Sequence, residues 1–266
     1  MIYFAKMNWQ ERTEPYRRRG FQQREAELLV LMEECAAGLF ASFPDRFVLF
    51  GGASLVLFYE SPRLSRDLDL LTKAEDLPAV GQVSATITSS IQDLAQTFGF
   101  GKVECHSDSA QKDFIKIWVQ SSQERLFSVD LTRIGGPISK TEQEQRKIAD
   151  SDQKIVVTPS ADTLLFQKCE TFLSRRIVKS RDAFDIEVLL SKGAELSGNP
   201  KAHLHDFIEM RELDAELIRS RINGVDAKLC TAELRPVLPD ALFTSLAQQE
   251  FKPLRSSLEA VFSDWL

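Results

Sequence analysis

The segment RLSRDLDLL, residues 63–71, determines how the rest of the sequence is interpreted. Its leucines are apolar enough for a buried β-strand, and a strand turns alternate side chains to opposite faces. Asp67 and Asp69 therefore project from the same face. Two adjacent carboxylates repel each other unless a cation lies between them, and hard oxygen ligands suit Mg²⁺ or Mn²⁺. Because a D-x-D motif also occurs by chance at exposed strand ends, its meaning depends on its neighbours.

A second motif precedes the acidic pair by fifteen residues. The apolar run at residues 46–50 predicts a short strand, which is followed by Gly51-Gly52 and by helical character over residues 53–59. Glycine lets the backbone approach a ligand closely, the helix start offers unpaired N–H groups, and Ser54 adds a hydroxyl. This order predicts a phosphate-binding turn, although most double glycines are only tight turns. A single strand–helix–strand connection can bring this turn beside Asp67.

Hydrophobic spacing predicts the other elements. The predicted helices cover residues 21–43, 79–98, 159–173 and 180–191, with several more in 201–266, and the predicted strands cover residues 102–106, 114–120 and 126–132. These three strands are expected to be antiparallel neighbours because short links join them. Residues 1–20 are interpreted as an arm with a solvated basic group, Arg17–Arg19, and residues 135–157 as a charged, loop-rich region.

A third acid, Asp130, lies in the predicted strand FSVDLT and faces away from its neighbours Val129 and Leu131. An isolated acid at such a position is most often on a solvated face. Beside Asp67 and Asp69 it would complete a three-carboxylate site, which can hold two cations roughly 4 Å apart for phosphoryl transfer.

Charged residues also mark the predicted helices. Lys168 lies one turn from Leu164, and Asp182 and Asp185 share one face of the helix over residues 180–191. Ordinary surface ion pairs are the simpler explanation of the acidic pair when it is taken alone.

Composition limits the class of protein. The 266 residues carry a net charge of −6 and predict two domains, residues 1–157 and 158–266. An isoelectric point near 5.3 argues against non-specific coating of nucleic acid, so any RNA contact is expected to be local. The four dispersed cysteines fit reduced thiols. With neither a secretory signal pattern nor a long apolar run, we expect a cytoplasmic protein that does not bind membranes.

The run FGGASLVLFYESPRLSRDLDLL, residues 50–71, resembles the AbiEii-type toxin nucleotidyltransferases, a branch of the DNA polymerase β-like fold. Asp130, Lys168 and the segment KSRDAFDIEVLL, residues 179–190, add to the resemblance. It implies an α+β fold, with a nucleotidyltransferase core built on a mixed sheet and a C-terminal helical bundle that completes the active site.

The resemblance also implies roles for individual residues. Gly51 and Gly52 would contact the triphosphate, and Ser54 is a further candidate, although the family usually has threonine at the position of Ala53 instead. The residues expected to bind metal are Asp67, Asp69 and Asp130. Those expected to support the substrate or the nucleotide phosphates are Arg63, Ser65 and Lys168, with Asp182 or Asp185 orienting Lys168 or the acceptor.

The implied reaction is metal-assisted attack by an acceptor hydroxyl on the α-phosphate of a nucleoside triphosphate, which releases pyrophosphate. The implied acceptor is an RNA, in particular the 3′ end of tRNA, and the implied partner is a separately encoded antitoxin. Two other hypotheses remain open at this point. The same residues could modify a protein or a small molecule such as an aminoglycoside, or the chain could be a non-catalytic nucleotide-binding module.

Overall fold

The computed structural model describes residues 9–73, 77–107, 113–134, 143–148 and 151–266. The chain forms two compact units. The first comprises Met1–Glu60 and Leu64–Pro159, and the second comprises Ser61–Arg63 and Ser160–Leu266. The sequence alone gives no sign that the short segment Ser61–Arg63 belongs with the helices that follow residue 160.

The first unit is built around a five-stranded mixed sheet. Its strands are β1 (Val48–Phe50), β2 (Asp67–Lys73), β3 (Val103–Ser107), β4 (Phe114–Ser121) and β5 (Arg125–Ile134), in the order β1-β2-β5-β4-β3. Strands β2 and β5 are parallel, whereas the other neighbours are antiparallel. The predicted α+β fold with a mixed sheet and antiparallel β3, β4 and β5 is therefore confirmed.

Alternation along the strands separates an apolar face from a polar one. Leu68 and Leu70 on β2 are buried, whereas the alternating residues Asp67 and Asp69 are exposed and partly exposed, respectively. Helices α2 (Gln23–Ser42) and α4 (Val80–Thr97) contact each other. Helix α4 buries a stripe at four-residue spacing, which is the repeat that keeps side chains on one helix face; the stripe consists of Val83, Ile87, Ile91 and Ala95.

The N-terminal arm predicted over residues 1–20 is wrong where the structure describes it. Residues Trp9–Arg18 form helix α1, which contacts α2; residues 1–8 lie outside the described ranges. Arg19 is not a solvated charge, because its Nη1 donates to the Val56 carbonyl at 2.6 Å and its guanidinium stacks on the Tyr16 ring. Arg19 thus links the end of α1, which contains Tyr16, to the backbone at Val56.

The loop predicted over residues 135–157 contains an antiparallel hairpin instead. Strand β6 (Gln143–Ile148) pairs with β7 (Ser151–Pro159), and residues 135–142 lie outside the described ranges. The charged composition hid this hairpin, since a two-stranded sheet needs no continuous apolar run. Pro159, predicted to begin a helix, ends β7, and the Ser160 hydroxyl caps the helix by accepting from the Thr163 amide at 3.3 Å.

A short helix, α3 (Gly51–Phe58), directly follows β1 in the first unit. The second unit is helical, as predicted. Its helices are α5 (Ala161–Ser174), α6 (Ser180–Ser191), α7 (Gly198–Met210), α8 (Ala215–Asn223), α9 (Ala227–Leu234), α10 (Asp240–Gln248) and α11 (Lys252–Val261). Aspartates cap two of them, since Asp214 accepts from the Leu217 amide and Asp226 from the Leu229 amide, both at 2.7 Å. Helix α6 contacts α5, α9 and α11, so it lies at the centre of this unit.

Two further expectations concern cysteines and membranes. All four cysteines carry free thiols, and three of them, Cys35, Cys169 and Cys230, are buried. Within the described ranges, no helix combines the length and the apolar character needed to cross a membrane.

Candidate active site

The three candidate acids of the first unit, Asp67, Asp69 and Asp130, lie on two adjacent parallel strands. In the register of β2 with β5, Asp67 is paired with Ser128 and Asp69 with Asp130. A two-residue step along a strand returns to the same face, so the four side chains share the polar face of the sheet. Asp67 and Ser128 are 61 positions apart in sequence, yet the parallel pairing of their strands makes the three carboxylates neighbours.

Ser128 joins two of these carboxylates. Its hydroxyl oxygen lies 2.6 Å from Oδ1 of Asp67 and 2.8 Å from Oδ1 of Asp130. A serine hydroxyl has one proton, so it donates to only one carboxylate at a time. It therefore holds Asp67 and Asp130 on either side of a single oxygen atom but does not neutralise either of them.

A lysine opposite the acids was not anticipated from the sequence. Lys116 on β4 is paired with Asp130 in the strand register, and its Nζ lies 2.7 Å from Oδ2 of Asp130 and 3.7 Å from Oδ1 of Asp67. Ser128 could have been found from its position two residues before Asp130. Lys116 could not, because only the register of β4 with β5 places it there.

The double glycine adjoins the second acid of β2. Gly51 has φ of +75°, and a Cβ built on it would lie 2.3 Å from Oδ2 of Asp69. Glycine is thus required twice, once by the backbone conformation and once by the carboxylate beside it. Gly52 is buried in the first turn of α3.

The two serines predicted to contact the substrate are both buried. The hydroxyl of Ser54 donates to the Gly51 carbonyl at 2.7 Å, so it is engaged with the backbone of its own helix rather than presented at the turn. Ser65 lies two residues before Asp67 in the segment that leads into β2.

The chemistry of the carboxylate set fits a hard divalent cation. Within the described part of the chain, no three acidic, histidine or cysteine side chains converge into a group that could hold a metal ion. Asp67, Asp69 and Asp130 thus do not form a closed three-ligand cage. Magnesium in nucleotide enzymes commonly takes one or two carboxylates and completes its shell with water and substrate phosphate oxygens. Asp67 and Asp69 can supply those carboxylates.

The candidate residues of the second unit form a buried ion cluster. Asp185 on α6 accepts from Nε and Nη2 of Arg63 at 2.7 and 2.9 Å, and from Nζ of Lys168 on α5 at 2.6 Å. The side chain of Asp185 is only 1% exposed. With two cations around one carboxylate, the cluster keeps one net positive charge, and the bidentate geometry holds the segment Ser61–Arg63 against α6.

Charge balance in this cluster sets the protonation of Asp185. Burial alone raises the pKa of a carboxyl group, but the charges of Arg63 and Lys168 outweigh it and lower the pKa of Asp185 below its usual value. Asp182, the other predicted acid of α6, is buried and forms a separate ion pair with Arg175. Of the two acids, Asp185 is the one bonded to Lys168.

Comparisons with known proteins agree with this geometry. Residues 37–265 match the family described as nucleotidyl transferase AbiEii toxin, of type IV toxin–antitoxin systems. A Helicobacter pylori protein described as a candidate nucleotidyltransferase has the same fold, with a TM-score of 0.55, 16% identity, and coverage of 92% of this chain and 97% of that one. JHP933 from H. pylori is similar at a TM-score of 0.55, with 14% identity and coverage of 92% and 94%.

A comparison with curated proteins finds no significant match. The family match nevertheless spans most of the sequence and includes every residue that carried the initial resemblance. The chain therefore belongs to the AbiEii nucleotidyl transferase toxin family.

Proposed function

We propose that this nucleotidyltransferase uses Mg²⁺ or Mn²⁺ to transfer a nucleoside monophosphate from a nucleoside triphosphate to a hydroxyl at the 3′ end of tRNA, and that a separately encoded antitoxin restrains it. The observation that carries the catalytic part is that Asp67 and Asp69 on β2 share one face with Asp130 on the adjacent strand β5, and that Gly51 adjoins Asp69. The RNA acceptor and the antitoxin are proposed from family membership.

The residues of the first unit have distinct roles in this proposal. The bend at Gly51-Gly52 receives the triphosphate, because its backbone can approach the phosphates and α3 begins there. Asp67 and Asp69 hold the cation together with the phosphate oxygens. When bound, the cation supplies charge neutralisation on the phosphates.

Asp130 is the proposed acceptor of the proton from the attacking hydroxyl. The new bond joins the hydroxyl oxygen to the α-phosphorus, the bond from the α-phosphorus to the bridging oxygen breaks, and pyrophosphate leaves with that electron pair. Lys168, whose Nζ lies 2.6 Å from Asp185, is proposed from the family resemblance to neutralise nucleotide phosphate charge.

The test is incubation of the purified protein with Mg²⁺ and each α-³²P-labelled nucleoside triphosphate in turn, with either total tRNA or an RNA-depleted lysate. We expect label in tRNA with one or more nucleotides, and no label when the divalent cation is removed with EDTA. Nuclease digestion of the product then shows whether the label is at the 3′ end.

Two variants control the experiment. Asp67→Ala removes a proposed metal ligand, whereas Asp93→Ala makes the same substitution at an exposed position of α4. Transfer should be lost only in the first. Label confined to protein in the lysate would replace the RNA acceptor by a protein acceptor. Equal transfer by folded Asp67→Ala and the native chain would refute the metal assignment.

The toxin part of the proposal has its own readout. Induced expression of the chain in a bacterial host should slow growth, and the Asp67→Ala chain at equal protein level should not. Growth inhibition by both chains would show that toxicity does not depend on nucleotidyl transfer.

A further inference from the structure

Lys116 is a cation bonded to the acidic face of the first unit, and no predicted role accounts for it. Its side chain is 22% exposed, and its ammonium lies 2.7 Å from Oδ2 of Asp130 and 3.7 Å from Oδ1 of Asp67. The same ammonium lies 4.5 Å from the centre of the Trp118 ring. An aromatic face attracts a cation, so Trp118 adds to the contacts that hold the lysine head over the acids.

These contacts occupy the third acid on both of its oxygens. Oδ1 of Asp130 faces the Ser128 hydroxyl and Oδ2 faces Lys116. A divalent cation bound by Asp130 would have to share these oxygens with the two donors. It would also be repelled by the ammonium, since unit charges a few ångströms apart interact strongly where the surroundings are partly protein.

The charges on this face can be counted directly. Asp67, Asp69 and Asp130 contribute three negative charges, Lys116 contributes one positive charge, and Ser128 contributes none. Removal of the lysine charge would make these five residues more negative by one unit and would remove the lysine contact from Oδ2 of Asp130. Both changes favour a divalent cation.

We propose that Lys116 is a built-in counter-cation of Asp130 that limits how tightly the nucleotide-free protein binds a divalent metal. In this arrangement Asp67 and Asp69 are the primary ligands, and Lys116 and Ser128 hold the Asp130 carboxylate in place. The inference rests on the proposed metal dependence, and it assigns to Lys116 a role that opposes metal binding.

The test measures Mn²⁺ binding to the full chain without nucleotide, from the electron paramagnetic resonance signal of free Mn²⁺. Lys116→Met removes the charge and keeps most of the side-chain length, and Lys116→Gln is a second neutral variant. Lys116→Arg keeps the charge. Lys102→Met is the matched control, because Lys102, the residue before β3, also pairs with an acid, Glu104 at 2.8 Å, but its side chain is 76% exposed.

We expect each neutral variant at Lys116 to bind Mn²⁺ at least about tenfold more tightly than the native chain, equivalent to about 1.4 kcal/mol. Lys116→Arg and Lys102→Met should stay within about threefold of the native affinity. Thermal unfolding of each variant identifies any chain that has not folded, and the two neutral variants provide separate opportunities to obtain a folded protein.

The other outcomes separate this inference from the function on which it rests. Equal Mn²⁺ affinity in the native chain and both neutral variants would overturn the role of Lys116 and leave the metal site intact. A similar gain in Lys102→Met would also overturn it, because the effect would then be one of net charge. No Mn²⁺ binding by any chain would overturn both the role of Lys116 and the proposed metal dependence.

Discussion

Replacement of Gly51 by alanine tests whether the glycine turn and the acid pair act together. The new Cβ would lie 2.3 Å from Oδ2 of Asp69, whereas ordinary contacts begin at 3.4 Å. The carboxylate oxygen therefore has to move by the difference of about 1.1 Å. A displacement near 1 Å in a catalytic group can lower the rate by about a hundredfold.

The chain contains a matched glycine for this experiment. Gly99 has the same φ of +75°, and nothing lies within 4 Å of the position its Cβ would take. Alanine costs roughly 1–2 kcal/mol in the left-handed region at either site, partly offset by about 0.4–1 kcal/mol from the less flexible unfolded chain. Gly99→Ala thus measures the backbone cost alone.

We expect urea unfolding to show a loss of about 1 kcal/mol in Gly99→Ala and a loss up to about 2 kcal/mol larger in Gly51→Ala, since overpacking adds strain. Transfer of label to tRNA should fall about a hundredfold in Gly51→Ala and remain near the native rate in Gly99→Ala. Equal transfer rates in the two folded variants would refute the reasoning, because both place alanine at φ of +75° and only Gly51 lies in the proposed phosphate-binding turn beside Asp69.

Substitutions at three further positions test two carboxylates and the serine that contacts them. Asp69→Asn keeps the shape of the side chain but removes a ligand charge, so transfer should fall by about a thousandfold in the label assay while the thermal unfolding midpoint stays within a few degrees; retained transfer would contradict its role. Ser128→Ala should lower transfer about tenfold by releasing Asp130, with partial recovery in Ser128→Thr; unequal folding of the two variants, seen by circular dichroism, would invalidate the comparison. Asp185→Asn removes the carboxylate charge that Arg63 and Lys168 share and should cost about 3–5 kcal/mol in urea unfolding at pH 7. Because the pKa of Asp185 is lowered in the folded chain, this difference should persist above the unfolded pKa of about 3.9 and shrink as pH falls through the folded value; a difference independent of pH would contradict the charge argument.

Local sequence patterns were sufficient for most elements. Helix α6 spans Ser180–Ser191, the predicted range, and α4 differs from its predicted range by one residue at each end. Both have apolar residues at helical spacing, and the information lies within a few neighbouring positions. The hairpin β6–β7 has a charged sequence without such a pattern, so its strands became visible only through their pairing.

Some features of the candidate site could likewise be identified from the sequence, and others only from the structure. Alternation within RLSRDLDLL places Asp67 and Asp69 on one face, and similarity to a family identifies Asp130 and Lys168 as candidates. The contacts within the candidate site join residues that are distant in sequence. Ser128 contacts Asp67 across 61 positions, and Arg63 contacts Asp185 across 122.

The sequence by itself determined the composition of the candidate site, namely two acids on one strand face, a glycine turn before them and a lysine on a later helix. Only the tertiary structure decided that Lys116 neutralises Asp130, that Gly51 adjoins Asp69, and that Arg63 is held by α6. The physical reason is that periodicity is encoded over a few residues. Strand register and buried ion pairs depend instead on which distant segments give the lowest free energy when they pack together.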